Sequence, residues 1–196
     1  YIMRLEDHSR RLTQSIKMMG MESEYSVKDL NDAVLEYIRH EGFQQDIHIR
    51  QMVLVDGDGP VSARGPVSMV IVALPRGRPQ GFDNGIACCV SSWVRISDQC
   101  LPPRIKCAAN YQNSRLAMLE AKANSYDNAI LLNQRGKISE STAACVFLVR
   151  KDRAVTPSVT NDLLESITRD CVIRLLTEEF GIATEERDVD RTELYV

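Results

Sequence analysis

The sequence predicts a mixed α+β / α/β chain in two parts, and three observations carry that prediction. Helical periodicity fills the segment up to Gly42. A continuous apolar run follows from Val67 to Leu74. A proline- and glycine-rich break then precedes a second half in which strand and helix patterns alternate.

The first helix is expected over roughly Glu6 to Met19, with Leu12, Ile16 and Met19 on one face. The second opens on Ser26-Val-Lys-Asp29, which reads as a capping box, and repeats Val27, Leu30, Val34 and Ile38 until Gly42 stops it. Asp46 to Val55 reads as extended, and Asp56 to Gly59 as a turn. The run from Val67 to Leu74 is rich in β-branched residues and reads as a strand buried on both faces. Pro75, Gly77, Pro79 and Gly81 then interrupt any regular element. The division expected is a smaller N-terminal α/β domain over 1–75, a linker over 76–82 and a larger C-terminal domain over 83–196.

In the second part a strand is expected from Ile86 to Arg95. Leu101-Pro-Pro103 forces an extended approach to Lys106, and a helix runs from about Asn113 to Ala123. Ala129 to Leu132 and Lys137 to Ser139 read as a hairpin around Arg135-Gly136. Ala144 to Val149 reads as a strand turning at Lys151-Asp152. A long final helix is expected from Ser166 to Phe180, stopped by Gly181.

The composition excludes several function classes. A net charge of −3 without any run of like charge offers no nucleic-acid or membrane surface. The longest apolar stretch is too short to span a bilayer. The six cysteines include no C-x-x-C pair and no ligand-like spacing to a histidine, so neither a metal site nor a disulfide framework is expected. That usage suits a reducing compartment such as the cytoplasm, with organelles open because the start lacks a methionine. The chain begins at Tyr1 and ends on Leu194-Tyr195-Val196, and both ends are expected to continue in a longer protein.

Three segments carry chemistry-bearing residues. Lys106 stands among Ile105, Cys107, Ala108 and Ala109, an apolar setting that disfavours the ammonium and leaves a nucleophilic amine. From these residues alone, a surface lysine snorkelling out of a half-buried segment reads better. Glu140 precedes Ser141, Thr142, Ala143 and Ala144, small residues that let backbone approach a ligand, or it is an ordinary turn acid. Ser166-Ile-Thr-Arg-Asp170 opens a helix whose N–H groups suit a phosphate, or Ser166 is simply its N-cap.

Taken in order, these segments resemble the fold-type IV pyridoxal-phosphate enzymes. That group comprises the branched-chain aminotransferases, the D-amino-acid aminotransferases and the aminodeoxychorismate lyases. The resemblance rests on Lys106 with Asn110-Tyr111 and Ala117-Met-Leu-Glu-Ala121, then Ser125-Tyr-Asp-Asn-Ala129 and Gly136-Lys-Ile-Ser-Glu140. Thr156-Pro157 and Ile167 to Asp170 follow in the family order. It implies a two-domain D-amino-acid-aminotransferase-like fold and pyridoxal 5'-phosphate as cofactor.

By that resemblance Lys106 would attach the cofactor and move the substrate proton. Tyr111 would hydrogen-bond the cofactor's phenolate oxygen, and Glu140 would hold the proton on its ring nitrogen. Ile167 and Thr168 would bind its phosphate through backbone N–H groups. Arg11, in His8-Ser-Arg-Arg-Leu12, is similar to the family's phosphate-binding arginine. Arg50, with His48 in the same strand, is similar to the branched-chain group's carboxylate-receiving arginine. The implied reaction transfers an amino group from a branched-chain or related L-amino acid to 2-oxoglutarate, in a homodimer with small-molecule partners only. The alternatives are lyase or D-amino-acid chemistry on the same scaffold, or a non-catalytic module.

Departures accompany the match. His48 stands where the family strand has tyrosine, and Gln51 where it has proline. Cys145 replaces an asparagine, and Glu165-Ser166 a Pro-Gly. The linker is shorter than the family's interdomain loop. The family's "gly-x-phe-glu-gly" segment before Arg4 and its "thr-gly-thr-ala" loop after Tyr195 lie outside the sequence.

Overall fold

Two units, Tyr1–Asn84 and Gly85–Val196, make up the computed structural model, which describes residues 1–79 and 81–196. Of the linker expected over 76–82, Gln80 lies outside the described residues.

Unit 1 follows its local signals closely. Helix α1 spans Leu5–Met18 and α2 spans Val27–Glu41. The Ser26 hydroxyl accepts from the Asp29 N–H, and the Asp29 carboxylate accepts from the Ser26 N–H, so two orphan donors are satisfied reciprocally. Gly42 ends α2 at φ 60°, where a side chain would strain the backbone. Ile16, Leu30 and Val34 are buried, and the Ser9 hydroxyl donates to Asn31 at 2.7 Å across the helix pair.

Strands β1 (Ile47–Val55) and β2 (Val67–Pro75) pair antiparallel in a two-stranded sheet. The Gln51 amide donates to the Leu30 carbonyl at 2.8 Å, so the odd-numbered face of β1 looks toward α2. The expectation that the Val67–Leu74 strand is buried on both faces is corrected. Val70 and Leu74 are exposed, because the helices of this unit cover one face only.

Unit 2 contains two strand–helix–strand crossovers. Strands β3 (Cys88–Val94) and β4 (Asn128–Leu132) run parallel, joined by α3 (Asn110–Ala123), and β5 (Ile138–Ser141) adds antiparallel to β4. Ala117 and Ala121 are fully buried against Ala129 and Leu131, and their small size brings α3 close to the sheet. Glu120 between them accepts from the Ser91 hydroxyl and the Ser92 N–H, clamping the helix to β3.

The second sheet has the order β6 (Leu148–Arg150), β7 (Arg153–Pro157), β8 (Thr184–Arg187). β7 and β8 are parallel, and α4 (Ile167–Arg174) makes the crossover. The expected single helix from Ser166 to Phe180 is corrected: α4 gives way at Leu175–Glu179 to a π-helical turn, and Leu175 and Phe180 are exposed. Ile138, Val155 and Val189 form the core shared by the two sheets.

The last turn, Arg191–Tyr195, is fastened by charge. Arg187 donates to both oxygens of Glu193 at 2.7 Å, and the Asp190 N–H adds a third bond. These hydrogen bonds, Arg187 first, hold the Glu193 carboxyl down to about 2, against an ordinary 4.5. The stabilisation is therefore whole above the ordinary value and is lost as pH falls toward about 2. Glu193→Gln is expected to flatten that acid limb in thermal unfolding followed against pH. An unchanged limb would assign it to other carboxylates.

Candidate active site

The lysine loop of unit 2 is built by an asparagine. Asn110 is 3% exposed, and its amide donates to the carbonyls of Pro102 at 3.0 Å and Ile105 at 2.7 Å. This curls residues 102–109 into a turn above the start of α3. Ile105 points inward at 4% exposure while Lys106 is exposed. The apolar neighbours of Lys106 in sequence thus do not bury it: Ile105 anchors the loop, while Ala108 and Ala109 are exposed like the lysine. Because α3 begins at Asn110 rather than near Asn113, Tyr111 sits in its first turn. Lys106 Nζ donates to the Tyr111 hydroxyl at 2.8 Å and lies 5.4 Å from the ring centroid.

Glu140 lies within β5, not between strands as the sequence suggested. Its side chain is 12% exposed and pairs at 2.7 Å with Arg95, itself 5% exposed. The other carboxylate oxygen accepts the Leu164 N–H at 3.3 Å. Burial pushes the Glu140 carboxyl up, opposed by Arg95, by the Leu164 N–H and by the charge of Lys106. The influence of Lys106 shows that the fold brings lysine and acid into one electrostatic neighbourhood. Arg95 is tied in further by Ser114 of α3 and by the Asp162 carbonyl, which also accepts the Ser139 hydroxyl.

At the start of α4 the Ser166 hydroxyl accepts from the Arg169 N–H at 3.2 Å. The N–H groups of Ile167 and Thr168 have no acceptor among the described residues. Those are the donors a helix start leaves for an anion. Cys145 stands nearby: burial pushes its thiol up, while Arg169 and a hydrogen bond with Ser166 act in the opposite direction. Glu165 pairs with Arg104 at 2.7 Å, so the departure from Pro-Gly links this helix start to the lysine loop.

Lys106, Tyr111, Glu140, Ile167 and Thr168 all belong to unit 2. Arg11, His48 and Arg50 belong to unit 1. Arg11 lies on α1 with its guanidinium 3.5 Å from His8, and His48 and Arg50 share one face of β1. Sequence reasoning missed Arg95 and the anchoring role of Asn110. The only signal for Arg95 was that it is the one charged residue of the strand expected over Ile86 to Arg95.

The model of the family "Amino-transferase class IV" matches residues 1–196. The chain belongs to that family. Among its relatives is a probable branched-chain-amino-acid aminotransferase from Aquifex aeolicus, 35% identical over all of this chain and 63% of the relative. The branched-chain amino acid aminotransferase of Thermobaculum terrenum in its PLP form superposes with a TM-score of 0.95. It is 44% identical, covering 100% of this chain and 64% of that one. The enzyme of Thermoproteus uzoniensis, solved with norvaline, superposes with a TM-score of 0.94 at 35% identity, covering 100% of this chain and 66% of that one. The chain thus spans just under two thirds of these family members, and its mixed helix–sheet architecture is theirs. Among the described residues, no helix is long and apolar enough to cross a membrane.

Proposed function

We propose that this chain carries the cofactor-holding part of a pyridoxal-phosphate-dependent aminotransferase acting on branched-chain or related L-amino acids, with 2-oxoglutarate as acceptor. The observation that carries the reading is the convergence in one unit of Lys106 on Tyr111, buried Glu140 on Arg95, and two acceptor-free N–H groups on α4. These features suit three parts of one group: an aldehyde for the amine, a ring nitrogen for the acid and a phosphate for the helix start.

When bound, the cofactor supplies an electron sink for the carbanion formed at the substrate α-carbon. Lys106 Nζ then takes the proton from that carbon and returns it, a task suited to an exposed amine on an anchored loop. The Tyr111 hydroxyl, already 2.8 Å from Nζ, orients the amine. Glu140, paired with Arg95 at 2.7 Å, would hold a proton on the cofactor's ring nitrogen. The N–H groups of Ile167 and Thr168 would hold its phosphate. Arg11 is proposed as a further phosphate ligand, and His48 and Arg50 as substrate contacts.

A homodimer with small-molecule substrates in the cytoplasm accompanies this reading, which rests on the relatives' names and on family membership. Adding pyridoxal phosphate to the purified chain, reducing with borohydride and mapping the modified residue tests it. A visible absorption band trapped on Lys106 is expected, with bleaching by L-leucine. Labelling scattered over surface lysines would overturn it.

A further inference from the structure

A carboxylate stands beside the anion site of unit 2, where its charge is unwelcome. Glu165 immediately precedes Ser166, the N-cap of α4, and so flanks the helix start proposed to hold the phosphate. The positive end of a helix draws any anion, a side-chain carboxylate as well as a phosphate. An unrestrained Glu165 would compete for that end and repel a phosphate bound there. The fold turns the carboxylate elsewhere. Arg104 Nε donates to Glu165 Oε1 at 2.7 Å across 61 residues of chain, and Arg104 Nη1 donates to Asp98 at 3.4 Å. The hydrogen bond to Glu165 is the chief influence pushing the Arg104 guanidinium up, so the pair stays charged.

Arg104 is itself placed by the lysine loop. Pro103 and Ile105 on either side of it are buried, and the Asn110 amide holds the carbonyls of Pro102 and Ile105. The backbone at Arg104 is therefore fixed from both directions. Asp98 is anchored as well, its N–H donating to the Asp162 carboxylate at 3.2 Å. The guanidinium thus spans from the segment before the lysine loop to the helix start. Its pairing with Glu165 contributes little to stability, because the two side chains are 39% and 55% exposed and water screens them. What the pair does is fix where a negative charge lies.

We propose that Arg104 is a positioning residue for anion binding: by holding the Glu165 carboxylate it keeps the start of α4 open to a phosphate group, and it ties that helix start to the loop carrying Lys106. The inference rests on the aminotransferase reading for the identity of the phosphate. Its test does not, because inorganic phosphate is read without cofactor.

Inorganic phosphate titrated into the purified chain is expected to move the backbone amide resonances of Ile167 and Thr168 saturably. Arg104→Leu is expected to weaken that binding about fivefold, the upper worth of one charge at an exposed helix end. Arg104→Leu combined with Glu165→Gln is expected to recover the parent's affinity, since no carboxylate then faces the helix start. Arg174→Leu, which removes the same charge from the far end of α4, is expected to change nothing. Attachment at Lys106 gives a second readout: Arg104→Leu should weaken pyridoxal phosphate and leave pyridoxal, which has no phosphate, unaltered. Equal phosphate binding by the parent and Arg104→Leu would overturn the proposal, as would a parent whose Ile167 and Thr168 amides ignore phosphate. So would a double variant as weak as the single one, or equal losses for pyridoxal and its phosphate, because either result means that the whole loop has moved. A failure of attachment at Lys106 with the inorganic phosphate results intact would instead overturn the aminotransferase reading and leave this one standing.

Discussion

Replacing Arg95 with leucine is expected to destabilise the protein by about 3–5 kcal/mol near neutral pH, because it strands the Glu140 carboxylate without its counter-charge. The pair has side chains 5% and 12% exposed and a separation of 2.7 Å, so water does little to screen the loss. The cost depends on pH in a definite direction. Burial already raises the Glu140 carboxyl, and Arg95 is the principal charge opposing that rise. Without Arg95 the carboxyl moves further up. A carboxyl raised in the folded state loses stability as pH climbs from its unfolded value through its folded one. The deficit of Arg95→Leu should therefore shrink as pH falls and Glu140 takes up its proton. Urea unfolding midpoints for both proteins across the acid range measure this. A deficit that stays constant with pH would mean that lost packing, not the stranded charge, is the cause. The double replacement Arg95→Leu with Glu140→Leu is expected to recover most of the loss, since two apolar groups need no partner.

Replacing Lys106 with alanine is expected to abolish borohydride trapping at that position and to lower transamination by at least ~10²–10⁴-fold, the usual worth of a positioned acid–base group. Lys106 is exposed and donates to Tyr111 from the loop that Asn110 anchors, so the variant is expected to unfold like the parent. Lys106→Arg keeps the charge yet cannot attach a carbonyl, and should fail equally. Normal turnover in either variant would remove Lys106 from the chemistry. Asn110→Ala makes a graded companion. It releases the carbonyls of Pro102 and Ile105, costs about 1–3 kcal/mol and slows attachment at Lys106 without abolishing it. Attachment rates and unfolding midpoints, compared side by side, separate the two effects.

Local signals were sufficient where a few neighbouring residues decide the outcome. The Ser26–Asp29 capping box and Gly42 bound α2 because they satisfy helix ends within a turn. Gly136, at φ 74°, turns β4 into β5 because it takes up the left-handed conformation that the tight turn needs. The ordered motifs around Lys106, Glu140 and Ile167 pointed to the family before any coordinate, since residue type and order are all a motif needs. Elements defined by distant partners were not legible. β8 is a short polar strand, Thr184–Arg187, that exists because β7 offers it a parallel edge. The missing first turn of α3 was hidden because Asn110, a poor helix former, spends its side chain on the lysine loop.

The sequence by itself determined the family, through the order of its motifs, and the elements that are closed by their own caps and turns. Only the tertiary structure decided how the residues of the site are held. It turned Ile105 inward and Lys106 outward, set Glu140 inside β5 against Arg95, and brought Arg104 onto Glu165. The physical reason is the range of the forces involved. Caps, turns and periodicity act over a few residues of chain. A buried carboxylate instead requires a counter-charge from wherever the fold can supply one, here 45 residues earlier in the chain.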